Sequence, residues 1–206
     1  MSKKVFTNVL IFLFALALLN SCGTRRRAQK PYDVTLEKGV LINGIRWAAY
    51  NVDAPGTFTA NAEDAGMFFQ WNRQKGWNAT DEEVDDWDYS IDTGTKWYAQ
   101  NDPCPQGWRV PTAEELHSLQ LNSEETVKNG VVGQLFGIAP HQIFLPAVGF
   151  RSGTGMLDGV EESGIIWSNT QYNSEKAVVF GFDDEYAGVG VFWRSVGLSV
   201  RCVAKN

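Results

Sequence analysis

The run Cys104-Pro105-Gln106-Gly107-Trp108-Arg109-Val110-Pro111-Thr112-Ala113-Glu114-Glu115-Leu116 limits what this chain can fold into more than any other stretch. Pro105 and Pro111 hold the backbone out of helical angles, Gly107 lets it turn, and Trp108 is large enough to anchor a loop in a core. A helix can start only after this loop. Thr112, followed three residues later by Glu115, forms a capping box: the hydroxyl takes the amide of Glu115, and the carboxylate reaches back to the amide of Thr112. The spacing predicts a helix from Thr112 to about Leu121, with Leu116 and Leu119 turned inward.

The amino terminus reads as an export signal. Lys3 and Lys4 precede an apolar run, Val9 to Leu19, that is too short to span a bilayer comfortably. Leu19-Asn20-Ser21-Cys22-Gly23 resembles a bacterial lipobox, in which the cysteine becomes the first mature residue and carries the lipid. The expected organisation is a signal peptide over 1–21, a flexible tether over 22–33 and one domain over 34–206. More than one acyl chain at Cys22, at roughly 0.8 kcal/mol per buried methylene, gives a stable anchor that does not cross the membrane. Basic rather than acidic residues directly after Cys22 favour an outer-membrane lipoprotein on the periplasmic face over one on the cell surface.

With Cys22 given to lipid, Cys104 and Cys202 remain, 98 positions apart, in an exported chain where disulfides persist. A bond between them is expected, closing a loop worth up to about 4–5 kcal/mol in the chain-entropy account. From Pro31 onward there are 12 basic and 24 acidic residues, a net charge of −12. Nucleic acid is excluded on that ground, because its binding is driven by Lys and Arg on phosphates. Such a body suits cationic ligands or metal ions, or owes its charge to solubility alone.

Along the chain, Val34 to Leu36 reads as a strand start, and Asn43-Gly44 between apolar flanks reads as a hairpin. Ser123-Glu124-Glu125-Thr126 reads as a second helix start that Gly130 ends. Strands are expected over 142–150, 164–169, 177–182, 189–194 and 198–203, with Asp183-Asp184-Glu185 as a hairpin tip and 151–163 as a long glycine-rich connection. An early hairpin, central helices and a late antiparallel sheet make an α+β layout.

Residues 68–98 follow no helical or strand period. Trp71, Trp77, Trp87 and Trp97 fall there among Asp81, Glu82, Glu83, Asp85, Asp86, Asp88 and Asp92. Such a stretch is either aromatic filling of a loop-rich core or a binding face on which tryptophans hold sugar rings or peptides. In the second reading the four tryptophans, Arg151 and the 151–163 loop form the contact surface. Calcium is weighed because hard cations take several carboxylates, but 85–92 lacks the glycine and closing glutamate of an EF-hand loop. No cofactor is otherwise implied.

The run at 104–116 resembles the signature of the Fibrobacter succinogenes major paralogous domain, a family of secreted and lipid-anchored bacterial proteins. Other pieces agree in order: Ile42-Asn43-Gly44-Ile45-Arg46-Trp47 through Asn51-Val52, then Phe144-Leu145-Pro146-Ala147-Val148-Gly149-Phe150-Arg151. Ile166-Trp167-Ser168-Asn169-Thr170 and Ser199-Val200-Arg201-Cys202-Val203 complete the pattern, so the likeness covers residues 34–204. The resemblance implies a C-type-lectin-like fold with short helices, a mainly antiparallel sheet and long irregular loops. It carries no catalytic motif. The Glu-Pro-Asn tripeptide of calcium-dependent sugar-binding lectins is absent, and Trp167-Ser168-Asn169-Thr170 stands where they have Trp-Asn-Asp. The paired copper-binding cysteines of the lectin-like formylglycine-generating enzymes are missing too. His117 and His141, the two histidines, sit in no nucleophile-and-base pattern, so no enzyme is expected. The expectation is a lipid-anchored, noncatalytic binding domain for a glycan or a protein. A structural component of the envelope or of a surface appendage is the alternative, with a carbohydrate-active enzyme third.

Overall fold

The computed structural model describes residues 39–120 and 122–205. The signal peptide, Cys22, the tether and the strand expected at Val34 lie outside the described residues. The strands, in chain order, are β1 (Gly39–Ile42), β2 (Ile45–Ala48), β3 (Phe68–Gln70), β4 (Gly76–Trp77), β5 (Trp108–Arg109), β6 (Ser123–Lys128), β7 (Val131–Ile138) and β8 (His141–Pro146). They continue as β9 (Val148–Arg151), β10 (Leu157–Val160), β11 (Gly164–Gln171), β12 (Lys176–Phe182), β13 (Ala187–Trp193), β14 (Gly197–Leu198) and β15 (Val203–Ala204). A single α-helix, α1 (Ala113–Leu116), runs into a 3-10 turn over His117–Leu119. The domain is therefore mostly antiparallel β-sheet with one short helix, and among the described residues no helix is long and apolar enough to cross a membrane.

Three sheets share the body. One runs β1-β2-β15-β5, a longer one runs β13-β12-β11-β9-β14-β3-β4 with β10 on β9, and β6-β7-β8 forms the third. The loop at 104–116 sits where the first described hairpin and the last strand meet. β15 lies between β2 and β5, pairing Val203 with both Trp47 and Arg109. The Cys104–Cys202 disulfide fastens the loop to the run into that last strand. Asp102 organises the approach by accepting from the amides of Cys104 (2.9 Å) and Val110 (3.2 Å), although burial pushes its carboxyl up. The capping box forms as expected, and Arg109 clamps Glu115 with two bonds of 2.7 and 2.6 Å. Leu116 and Leu119 are buried, but the helix is one turn rather than two.

The helix expected from Ser123 is strand β6, paired with β7 from Ser123↔Phe136 to Lys128↔Val131. The reason is local. Asn129 and Gly130 take φ of 50° and 86°, the double positive-φ turn that matches strand twist, as do Asn43 and Gly44 at 49° and 84°. Gly130 is thus the second half of a hairpin turn and not a helix stop. The strand expected over 142–150 is two strands, β8 and β9, which separate at Ala147 into different sheets. The final strand is likewise split into β14 and β15.

The core has two main parts. Trp71, Trp97, Trp108, Trp167, Val110 and Cys202 belong to one. Trp47, Leu116, Leu119, Phe136, Phe180 and Phe182 belong to the other, in which Phe136 of β7 meets Phe180 edge-on at 5.1 Å and so seats the third sheet on the long one. Three arginines are buried with them: Arg151, Arg194 and Arg201. Their guanidiniums bond mainly to backbone carbonyls. Arg201 reaches Asn51 Oδ1 (3.0 Å), Ala48 O (3.2 Å) and Phe144 O (3.1 Å), while burial pulls its pKa down to about 9. With little helix to satisfy irregular backbone, forked donors of this kind meet the carbonyls that loops leave free.

Candidate functional site

The structure corrects the expected contact surface at the tryptophans. Trp71 and Trp97 pack edge-on at 6.1 Å; Trp71 Nε1 donates to Ser168 O (2.9 Å) and Trp97 Nε1 to Asn101 O (2.8 Å). Trp77 and Trp87 stack at 4.8 Å, and Trp87 Nε1 donates to Gly153 O (3.1 Å). All four are buried. Gly155, at φ +87°, lies against the Trp87 ring so closely that a Cβ would come within 3.0 Å of it. Arg151, also buried, donates to Asn78 O (2.6 Å), Asp81 O (2.8 Å) and Gly155 O (2.7 Å), tying the aromatic loop to the 151–163 loop. A body built largely of loops needs bulky rings and forked donors inside, and these residues supply them. Of the eight tryptophans, Trp193 on β13 stays exposed, at 48%, with the Lys176 ammonium 4.3 Å from its ring centre.

Three acids of the same stretch are engaged, Asp81 accepting from Asn78 Nδ2 (3.0 Å). Asp92 Oδ1 accepts from Asn72 Nδ2 (2.6 Å) and the Gly94 amide (2.7 Å) and lies 3.8 Å from Arg194, whose guanidinium covers the Trp71 ring at 4.0 Å. The Ser90 side chain and amide, with Arg73 3.6 Å away, hold the Asp88 carboxyl below the usual value. Among the described residues no three His, Cys, Asp or Glu side chains gather closely enough to hold a metal ion.

A different group of acids surrounds a cavity of about 700 Å³. It opens where the β6-β7-β8 sheet meets the ends of the β9-β10 and β11-β12 hairpins. Glu125, Asp158, Glu161, Glu162, Asp183 and Asp184 all line it and all are exposed. Among the described residues, no Lys, Arg or His lines it. Phe182, Ala147 and Gly133 form buried parts of the wall, with Phe150 half-buried beside them. Asp158, Glu161, Glu162 and Ser163 come from the 151–163 loop named in the sequence reading; Glu125, Gln134, Asp183 and Asp184 were not anticipated. They come from separate segments, and only the hairpin turn at Asn129-Gly130 brings Glu125 opposite Gln134.

Gln134 is the unusual member. It is 8% exposed, and its Nε2 donates to Asp183 O at 2.7 Å, which fixes the orientation of the amide because the reverse would set two oxygens against each other. Its Oε1 is buried and accepts no hydrogen bond. A buried acceptor left so costs about 1–3 kcal/mol; Trp77 Nε1, Trp108 Nε1 and Ser199 Oγ are left likewise inside the body. Glu161 adds a second departure. Its φ of 65° puts a non-glycine, non-Asn/Asp residue in left-handed space at the cavity rim, where its amide donates to Ala147 O (2.8 Å).

The cavity continues into a groove on the face of the long sheet. Ser163, Phe182 and Asp183 line both. The groove floor is nearly bare, since Gly181 faces Gly188 across β12 and β13 and Gly190 faces Val179. The Tyr186 ring lies over Gly188, and Phe150 of the cavity meets Phe192 of the groove edge-on at 5.3 Å. Comparison of the chain with protein-family models, with curated proteins and with solved structures finds no match.

Proposed function

We propose that the protein is an exported, lipid-anchored, noncatalytic binding domain on a C-type-lectin-like scaffold, with a glycan or a protein as ligand. The single observation that carries the binding reading is the carboxylate-rimmed cavity with the unpartnered Gln134 acceptor in its wall. A volume of about 700 Å³ falls within the range of ligand sites, roughly 300–1,000 Å³. The lipobox-like segment ending in Cys22 supports attachment to the outer membrane, with the periplasmic face favoured by the arginines that follow it. The disulfide is consistent with export, since such bonds persist in oxidising compartments. The lectin-like assignment rests on the resemblance of the motifs and on the way the last strand, fastened through Cys202 to the loop at Cys104, pairs with β2. The noncatalytic assignment rests on the sequence, in which His117 and His141 sit in no nucleophile-and-base motif.

Arrays of glycans and of peptides, probed with the protein from Pro31 onward, test this reading. Retention on either class supports it, and release of shortened sugars from a retained glycan would instead make the protein an enzyme. One observation favours a structural or assembly component. β13 is the outermost strand of the long sheet and exposes Val191, Trp193 and the neighbouring Tyr186, an apolar unpaired edge suited to strand addition. Stable self-assembly in solution, with no retention on either array, would support that second reading.

A further inference from the structure

Resting on that binding reading, the geometry points to a polypeptide ligand: we propose that the cavity and groove together hold an extended segment carrying Lys or Arg beside an apolar residue. Three observations combine. Six carboxylates line the cavity and, among the described residues, no cationic side chain does, which makes the wall complementary to a cationic ligand. The Gln134 Oε1 needs a hydrogen-bond donor, which an ammonium or guanidinium supplies and a carboxylate or sulfate does not. The adjoining groove, floored by Ile165, Val179 and three glycines, is apolar and shares three lining residues with the cavity.

Each class of cation meets these features differently. The carboxylates do not converge on one point among the described residues, so they match a charge carried on a long or forked side chain better than a bare ion. Phe150 and Phe182 give such a cation ring surface as well as charge. A polyamine or an amino sugar satisfies the acids but spreads charge or hydroxyls along its whole length and carries no apolar side chain to set in the groove. Alternation of charge and hydrocarbon along one chain is what a peptide provides. Tyr186 covers Gly188, but the bare positions Gly181 and Gly190 leave room for a main chain or an apolar side chain to approach the sheet.

The test uses the full exported protein in detergent and a fluorescein-labelled pentapeptide of alternating leucine and lysine, followed by anisotropy. The Glu125→Gln, Glu161→Gln, Glu162→Gln triple variant should bind about tenfold or more weakly, with a flatter dependence on salt. Gly190→Leu fills the groove at a position where an added Cβ meets nothing within 4 Å, so it folds and should also weaken binding several-fold, by about the worth of one apolar contact. A serine-lysine pentapeptide should bind about as weakly to the native protein as leucine-lysine does to Gly190→Leu. Equal affinity in all variants would overturn the site. Displacement by spermine, by a glucosamine oligomer or by calcium as effectively as by unlabelled peptide would overturn the polypeptide assignment while leaving a cation-binding domain. Retention of uncharged glycans alone, with no peptide uptake, would overturn this inference and leave the binding reading intact. Failure to retain any array ligand would remove both.

Discussion

Two acidic regions of this molecule differ in what their charge does. In the stretch from Asp81 to Asp92, the acids and tryptophans lie beside each other in sequence, yet the rings turn inward and Asp88 and Asp92 find cations within the protein. Around the cavity, Glu125, Asp158, Glu161, Glu162, Asp183 and Asp184 are scattered in sequence, collected by folding, and have no cation beside them in the wall. Concentration of a residue type in sequence marked the region that stabilises, and dispersal hid the acids that line the cavity. Buried arginines deepen the contrast. Three of the twelve basic residues of the body are interior and spend their donors mostly on carbonyls, which leaves the surface more acidic than the composition implies.

The contrast breaks most readily at the rings. Trp71→Ala and Trp87→Ala should each cost about 3–5 kcal/mol in urea unfolding, the usual loss for a buried indole. A loss under about 1 kcal/mol would mean that these rings are surface groups after all. The disulfide comes next. Its removal as Cys104→Ser with Cys202→Ser should destabilise by about 2–5 kcal/mol, read as a shift of the thermal midpoint. Arg151→Met keeps the bulk and deletes the donors to Asn78, Asp81 and Gly155. It should cost about 2–4 kcal/mol and, in hydrogen exchange, loosen both the aromatic loop and the 151–163 loop.

These effects explain how much was legible in the sequence. The turn chemistry of Pro105, Gly107 and Pro111, the capping box and the cysteine pair are all local or pairwise signals, and all of them appear in the structure. Asn129-Gly130 carried the same hairpin signal as Asn43-Gly44, but acids after Ser123 imitate a helix start and drew the reading away from β6. The burial of Trp71, Trp77, Trp87 and Trp97 was open because an irregular stretch has no period by which to assign an inside and an outside. Nothing local marks the cavity. Its acids come from β6, from β10 and the turn after it, and from the 183–184 turn, and only the docking of the third sheet on Phe180 and Phe182 brings them together.

A smaller effect sharpens the comparison by pH. Burial works against the Glu115 carboxylate, but the Arg109 clamp and the Thr112 amide outweigh it and hold the carboxyl below its usual 4.5. A depressed carboxyl contributes stability that is full above that value and is lost as pH falls through the folded pKa. Glu115→Gln should therefore lower the urea midpoint at pH 7 by about 1 kcal/mol equivalent and narrow the gap between pH 7 and pH 3. An unchanged gap would mean that the clamp does not hold in solution.

The most direct test pairs stability with binding in the rim variant, Glu125→Gln with Glu161→Gln and Glu162→Gln. Removing like charges that no internal cation balances should leave the urea midpoint unchanged or raise it, by up to about 1 kcal/mol, while uptake of the leucine-lysine peptide falls. A midpoint that drops as far as it does in Arg151→Met, with peptide uptake retained, would contradict the account, because the rim would then be one more part of the interior scaffold.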